Sequence, residues 1–297
     1  MNKTPFTILS SKIAPLRKII FKAEERFQFY TVSFYDSSDN SLILCASSQI
    51  GCIEKCKFCA TGSHKFIRNL SVEEIQNQFK QGIEVMRGDL VKSKPKLLWI
   101  ILEGMGEPSY NLLNILKAFS LEYPNLKEFK EIHFRISTVG NVDLIKEYKK
   151  YIQANCKTMG NVEFEVQISL HTPFESERRD LIPGISQKYS LIKILTEFYN
   201  FSNYLNKKLR INYMLLKYPD GTNNFSEKYL KKLSQILNPK STQIKLTKYS
   251  DTGKGFSSPD KTVFSNVQNF LISKGFEVEI RELLGQDINA ACGMLHY

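Results

Sequence analysis

The chain has 297 residues, of which 42% are hydrophobic and 24% charged, proportions of a folded globular protein that exclude disorder, collagen-like repeats and a coiled coil. Forty-one Lys and Arg against 30 Asp and Glu give a net charge of +11, a balance that suits an anionic partner such as nucleic acid and that plain solubility produces as well. No apolar run approaches the roughly 18 to 20 residues of a membrane span, and residues 1–12 are too polar for an export signal, so a cytoplasmic protein without membrane contact is expected.

In chain order, residues 15–26 are predicted to hold a short helix, and 29–35 and 41–46 to form a hairpin across the turn residues 36–40. The hairpin leads into a loop dense in cysteine. Ser71 and Glu74 then make a capping box, and Ile75, Phe79, Ile83 and Met86 recur at helical spacing up to Gly88, which is expected to end that helix. A buried strand at 97–102 follows, then a helix near 110–119, a strand at 132–137, a helix at 142–151, a strand at 164–170 and a helix at 190–201. The tail continues with strands at 209–216, 243–247 and 276–280 and helices at 226–237 and 263–273. Strands alternating with helices call for a parallel sheet with right-handed crossovers, and about six such units build an open, partial (β/α)6 barrel of the TIM type. A doubly wound sheet is the structural alternative. Residues 1–40 are read as a short N-terminal extension with the hairpin, and 41–297 as the barrel core with a C-terminal cysteine loop. In either architecture functional groups gather on loops beyond the C-terminal strand ends.

Of six cysteines, three crowd into eight residues as Cys52, Cys56 and Cys59, a CxxxCxxC spacing, while the others stand far apart. Without an export signal, clustered thiols are more often metal ligands or catalysts than bridges. A structural zinc site wants four ligands, and neither His64 nor Cys45 has the spacing to complete one. An iron-sulfur cluster held by three cysteines keeps one iron open for a small molecule, which suits chemistry better than structure.

CxxxCxxC with an aromatic residue before the last cysteine, here Phe58, resembles the signature of the radical S-adenosylmethionine (SAM) enzymes. The blocks Cys45 to Cys52, Arg68-Asn69-Leu70, Gly104-Met105-Gly106-Glu107-Pro108, Ser169-Leu170-His171 and Asp287 to Gly293 are similar, in order, to the RlmN/Cfr type of RNA adenine methyltransferase. The resemblance implies a 4Fe-4S cluster on Cys52, Cys56 and Cys59, and SAM held by Gly106, Glu107, Ser137, Ser169, Leu170, His171 and Ser250. It implies that Cys292 accepts a methyl group from SAM and delivers it to carbon 2 of adenine in ribosomal or transfer RNA, and that Cys45 releases the product by forming a disulfide. It also implies an electron donor such as a flavodoxin, and a monomer is expected.

Each position has a plainer reading as well: a tight turn at Gly106, a local cap at a strand-end serine or histidine, an incidental thiol at Cys292. Cys156 is read as a structural thiol. Tyr30 stands where the family carries its glutamate base, and its unperturbed pKa near 10 suits that task poorly. Glu24 and Glu25, the nearest upstream carboxylates, are read as charges on a solvated helix. Ser250 stands where the family has an asparagine, and the segment before the hairpin is shorter than the family's helical RNA-binding domain. Lys57, Lys65 and Arg68 are candidate phosphate contacts, with a solvated face as the alternative. Three functions follow: a methyltransferase of RNA adenine, a paralogue with the same radical chemistry on another substrate, and an inactive iron-sulfur or RNA-binding protein.

Overall fold

A computed structural model describes residues 6–24, 26–90 and 94–295. The chain opens with an antiparallel meander of β1 (Phe6–Ser10), β2 (Leu16–Ala23), β3 (Phe27–Asp36) and β4 (Ser41–Ala46). The expected hairpin is β3 and β4. The expected helix at 15–26 is instead strand β2, and β1 has no counterpart in the sequence reading. Period two decides the matter in β2: Ile19, Phe21 and Ala23 enter the main core, while Leu16 and Ile20 pack on the opposite face. Two β-branched isoleucines beside a phenylalanine favour a pleated surface over a helix. Glu24 therefore lies in the β2–β3 turn, with φ +53°, and Glu25 lies outside the described residues.

After β4, the short strands β5 (Gln49–Ile50) and β6 (Arg68–Asn69) pair with each other and bracket the cysteine loop. Helix α1 (Val72–Asp89) begins with the capping box expected at Ser71 and Glu74, and it runs past Gly88 to a cap at Leu90. From there strands and helices alternate: β7 (Leu97–Leu102), α2 (Leu112–Glu122), β8 (Glu131–Thr138), α3 (Leu144–Asn155) and β9 (Val162–Ser169). The crossover to β10 (Leu209–Leu215) carries two short helices absent from the sequence reading, α4 (Glu175–Leu181) and α5 (Pro183–Lys188), before α6 (Leu191–Tyr204). Then come α7 (Glu227–Ile236), β11 (Thr242–Lys248), α8 (Lys261–Ser273) and β12 (Glu277–Arg281).

Ten strands form one sheet in the order β1-β2-β3-β4-β7-β8-β9-β10-β11-β12. Every pairing from β4 to β12 is parallel, so six strand-helix units build a partial barrel, open between its edge strands. Alternation along each strand sorts the two faces. Leu98, Ile100 and Leu102 of β7, Phe134 and Ile136 of β8, and Ile244 and Leu246 of β11 pack outward into the helix layer. Their neighbours Trp99, Ile101, Arg135 and Lys245 line the barrel interior. Among the described residues no helix is long and apolar enough to cross a membrane.

Candidate functional site

Two cavities share a wall at the C-terminal strand ends, and one of them runs from there through the barrel to Ser41 and Arg210 near the other end. One, a cleft of about 140 Å³, lies over the cysteine loop and is lined by Cys52, Cys56, Cys59, Gly106, Glu107, Ser137, Ser169 and His171 among others. The second, about 280 Å³, is the barrel interior, with Cys45, Trp99 and Lys245 in its wall. Glu103, Cys292 and Leu295 line both. The segment carrying Cys292 thus separates them.

The cysteine loop folds back on itself through Cys59 N–H donating to Cys56 O (3.2 Å) and Gly62 N–H to Cys59 O (3.1 Å). Burial pushes the thiols of Cys52 and Cys56 up, and the charges that neighbouring thiolates and Glu54 would carry push them further. Three thiols that repel one another as anions, on one cleft wall, fit a cationic iron-sulfur group that would draw off their protons. Among the described residues no three Cys, His or acidic side chains stand close enough to share one metal ion.

Opposite the loop, Gly104 and Gly106 let the chain turn against β4 and β5. A Cβ on Gly106 (φ +97°) would lie 2.5 Å from Gln49 Cβ, and one on Gly104 2.7 Å from the Ala46 carbonyl carbon. Glu107 is thereby turned inward, where Val139 N–H donates to Oε2 (3.0 Å) and Ser109 N–H to Oε1 (3.1 Å). Burial, then the nearby Glu54, raises its pKa to about 7. Among the described residues no cation pairs with this buried carboxylate, which fits the ammonium group of SAM. His171, in left-handed backbone (φ +60°), accepts Met214 N–H at Nδ1 (3.0 Å) and meets Phe58 edge-on at 4.9 Å. Burial, then Arg178 and Lys245, lowers its pKa to about 3, so it is a neutral imidazole with its Nε2–H free to donate.

Two expected SAM residues are placed elsewhere. The Leu170 side chain belongs to the main core, and only its flanking Ser169 and His171 reach the cleft. Ser250 is fully buried with no partner for its hydroxyl and lines neither cavity. Tyr30 lines neither as well: its hydroxyl donates to Gln28 Oε1 (3.1 Å), Lys18 lies over its ring, and burial pushes its pKa up to about 12, away from a base's range. Arg68 is held bidentately by Glu74 and by Glu24 (3.0 Å), and Lys57 pairs with Asp180, so two of the three candidate phosphate contacts have acidic partners in the chain. Cys156, read as a structural thiol, is exposed.

Cys292 stands near enough to Cys45 for its charge to bear on the ionisation of Cys45. Burial, then Cys292 and Glu103, pushes the Cys45 thiol up; packing among its neighbours, then Glu103, raises Cys292 although part of its surface stays exposed. The disulfide expected between them is not formed, and all six cysteines are free. Both shifts favour the protonated thiol, the form that attacks sulfur slowly. The loop bearing Cys292 is tied to the cysteine loop by Ala60 N–H donating to Gly293 O (2.8 Å) and to β2 by Lys18 Nζ donating to Asn289 O (2.8 Å).

Glu103 is the residue the sequence reading missed. Its Oε1 accepts from Ser137 Oγ (2.8 Å), Gln167 Nε2 (2.5 Å) and Lys245 Nζ (3.4 Å). Burial opposes its ionisation, but the charges of Lys245 and Arg135 and these hydrogen bonds prevail and hold its pKa at about 2. A signal was present: strands buried on both faces should read as continuous apolar runs, yet β8 to β11 largely alternate, with Arg135, Glu165, Gln167, Arg210 and Lys245 on the inward positions.

No family model matches the chain. It is 33% identical over 293 residues to the probable dual-specificity RNA methyltransferase RlmN of Pseudothermotoga lettingae, covering 94% of this chain and 79% of that protein. To the same-named protein of Caldicellulosiruptor saccharolyticus it is 34% identical over 261 residues, 86% of this chain and 69% of that one. The crystal structure of a radical SAM methyltransferase from Sphaerobacter thermophilus matches the fold with a TM-score of 0.80 over 98% of this chain and 81% of that one, at 22% identity.

Proposed function

Because the chain belongs to the family of RlmN dual-specificity RNA methyltransferases, we propose that it methylates carbon 2 of an adenine in ribosomal or transfer RNA through a methyl group carried on Cys292. The observation that carries this reading is the position of Cys292, in the wall shared by the cysteine-loop cleft and the barrel interior, with Cys45 beside it.

Cys52, Cys56 and Cys59 would hold a 4Fe-4S cluster, and Gly106, Glu107, Ser137, Ser169 and His171 would hold SAM. Together, when bound, these groups would supply the one-electron reduction and hydrogen abstraction that activate a methyl group for addition to an electron-poor ring carbon. The chain's own residues supply placement. Glu107 takes the ammonium group, and the pairing favours its ionised form. The neutral His171 offers a hydrogen bond without adding positive charge beside the cluster.

Cys292 takes the first methyl at sulfur, giving up its proton, and presents it to the acceptor carbon across the shared wall. Cys45 then attacks the Cys292 sulfur: the sulfur-carbon bond to the product breaks as the Cys45–Cys292 disulfide forms. The electron pair of the broken bond stays with the carbon, which takes up a proton to become the product methyl, and the hydrogen displaced from the ring carbon leaves as a proton. That bridge belongs to turnover, in keeping with two free thiols at rest. Exclusion of water and fixed orientation are the protein's main contributions. The acceptor adenine must leave its stack to reach this depth. An external one-electron donor such as a flavodoxin, reduction of the disulfide between cycles, and a cytoplasmic monomer complete the proposal.

The test is methylation of RNA by protein reconstituted anaerobically with iron and sulfide. Cys292→Ala abolishes methyl transfer, and Cys45→Ala accumulates a covalent protein-RNA adduct visible by intact mass. A Cys292→Ala protein that methylates RNA at the parent rate overturns the reading.

A further inference from the structure

The barrel interior mixes apolar side chains with charged ones, among them Arg135, Arg210 and Glu279. Val32, Phe34, Trp99 and Ile101 line it on one side, and Glu103 with Lys245 meets them at the shared wall beside Cys45 and Cys292. The two oxygens of Glu103 differ. Among the described residues Oε1 is saturated by three donors, whereas Oε2 has one contact, to Lys245 Nζ at 3.3 Å. A carboxylate oxygen accepts about two hydrogen bonds, and buried acceptors are rarely left short of partners. Lys245 is itself almost wholly buried, and Glu103 is the acceptor its ammonium group reaches, at 3.3 and 3.4 Å. An ammonium group has three donors. The pair therefore offers, side by side, one acceptor and one donor not used up by the chain.

Such a pair complements a flat ring whose edge carries an amino group next to a ring nitrogen. A carboxylate accepts from an exocyclic amine, and a lysine donates to an unprotonated ring nitrogen. The chamber, about 280 Å³, has room for a nucleobase, and the Trp99 and Phe34 side chains give it apolar surface. We propose that the barrel interior is the acceptor-base pocket, and that Glu103 and Lys245 select a 6-aminopurine by its amino group and adjacent ring nitrogen. This deepens the reading above and rests on it for the identity of the acceptor as RNA. Engaging the amino group and N1 brings carbon 2, which is bonded to N1, next to the pair, and Cys292 lines the same chamber. Guanine and hypoxanthine present a carbonyl where adenine has its amine and set oxygen against the Glu103 carboxylate, so the same pair repels them.

The alternative occupant of Oε2 is a ribose hydroxyl of SAM, since Glu103 also lines the cleft. One experiment separates the two. Cluster-loaded protein is titrated with a short single-stranded RNA carrying one central adenine, and with the same RNA carrying purine, which lacks the amino group, or hypoxanthine. S-adenosylhomocysteine is titrated separately. The parent protein binds the adenine RNA about tenfold or more tighter than either analogue, as expected for one hydrogen bond to a buried charge. Glu103→Gln loses that preference and keeps its affinity for S-adenosylhomocysteine within a factor of two. Equal binding of all three RNAs by the parent protein overturns the proposal, and this comparison needs no variant to fold. A Glu103→Gln protein with weakened S-adenosylhomocysteine binding and intact adenine preference also overturns it, and assigns the carboxylate to the cosubstrate. A parent protein that neither binds nor methylates the adenine RNA fails the functional reading itself, a result distinct from equal binding of all three.

Discussion

The cleft and the barrel interior lie on two sides of one loop and treat charge in opposite ways. In the cleft, burial drives Cys52 and Cys56 up, Glu107 to about 7 and His171 down to about 3, so every one of these groups moves toward its neutral form. In the interior, Glu103 and Glu165 suffer the same burial, yet both are held at about 2. Lys245 and Arg135 surround the first, and His133 and Arg135 hydrogen-bond the second at 2.6 to 2.8 Å. Low dielectric alone neutralises a carboxylate; a counter-charge built into the fold reverses the outcome. The cleft leaves its counter-charge to be supplied by what binds there, whereas the interior supplies its own.

The largest expected effect of breaking this contrast is in the cysteine loop. Cys56→Ala removes one thiolate, and the brown absorption and the reduced-state paramagnetic signal of the reconstituted protein disappear, while the free protein folds as before. Retention of both signals would show that the three cysteines do not act as a set. Next in size, Glu107→Gln weakens SAM binding about 10- to 100-fold, the scale of a charge-assisted hydrogen bond lost inside a protein. The sign with pH follows from its raised pKa. Below about pH 7 the carboxylate carries a proton and cannot pair with an ammonium group, so the parent protein binds SAM more tightly as pH rises toward 7 and then levels off. Equilibrium dialysis across pH 5 to 8 checks this, and a Glu107→Gln protein with the parent slope refutes it.

In the interior the corresponding variant is Glu165→Gln, which leaves Arg135 buried beside a neutral partner and costs about 3 kcal/mol of stability at neutral pH. Glu165 has its pKa lowered on folding, so its contribution is present above the ordinary carboxylate range and is lost as pH falls toward about 2. Denaturant unfolding at several pH values should show the difference between parent and variant shrinking through that window. A constant difference would mean that the ion pair is not its source.

The strands of the barrel and its helices were legible because apolar periodicity is strong there, and β7 at Leu97–Leu102 coincides with its expected bounds. The cysteine loop, Glu107 and His171 were legible because they sit in motifs whose spacing chemistry constrains. Ser250 was assigned by position alone, and nothing in a sequence says whether a hydroxyl at a strand end faces a cavity or the core. Glu103 went unread for the opposite reason: it precedes the glycine block and belongs to no motif, and its role depends on Ser137, Gln167 and Lys245 arriving from three other strands. Strand β2 was misread because the lysines and Arg17 along one stretch suggest a solvated helix, whereas Lys18 is buried between Tyr30 and Asn289.

That buried lysine points to the smallest and most local prediction. The loop carrying Cys292 includes three left-handed residues, Gly285, Asn289 and Gly293, so little in its own backbone propensity holds it in place. Its anchors come from the N-terminal strands: Asp287 accepts from Ser11 Oγ (3.0 Å) and Lys12 N–H (2.8 Å), and those bonds lower the Asp287 pKa. The meander, by this account, sets where the wall between the two cavities stands. Asp287→Asn, on an exposed site, should leave the melting temperature almost unmoved and speed amide exchange across residues 288–293 several-fold. Acid has the same effect on the parent protein, because protonating Asp287 weakens both bonds, and their contribution fades as pH falls through its lowered pKa. Exchange in Asp287→Asn identical to the parent at neutral pH would mean that the bonds to Ala60 and Lys18 alone fix the loop, and that the N-terminal strands shape the barrel without positioning Cys292.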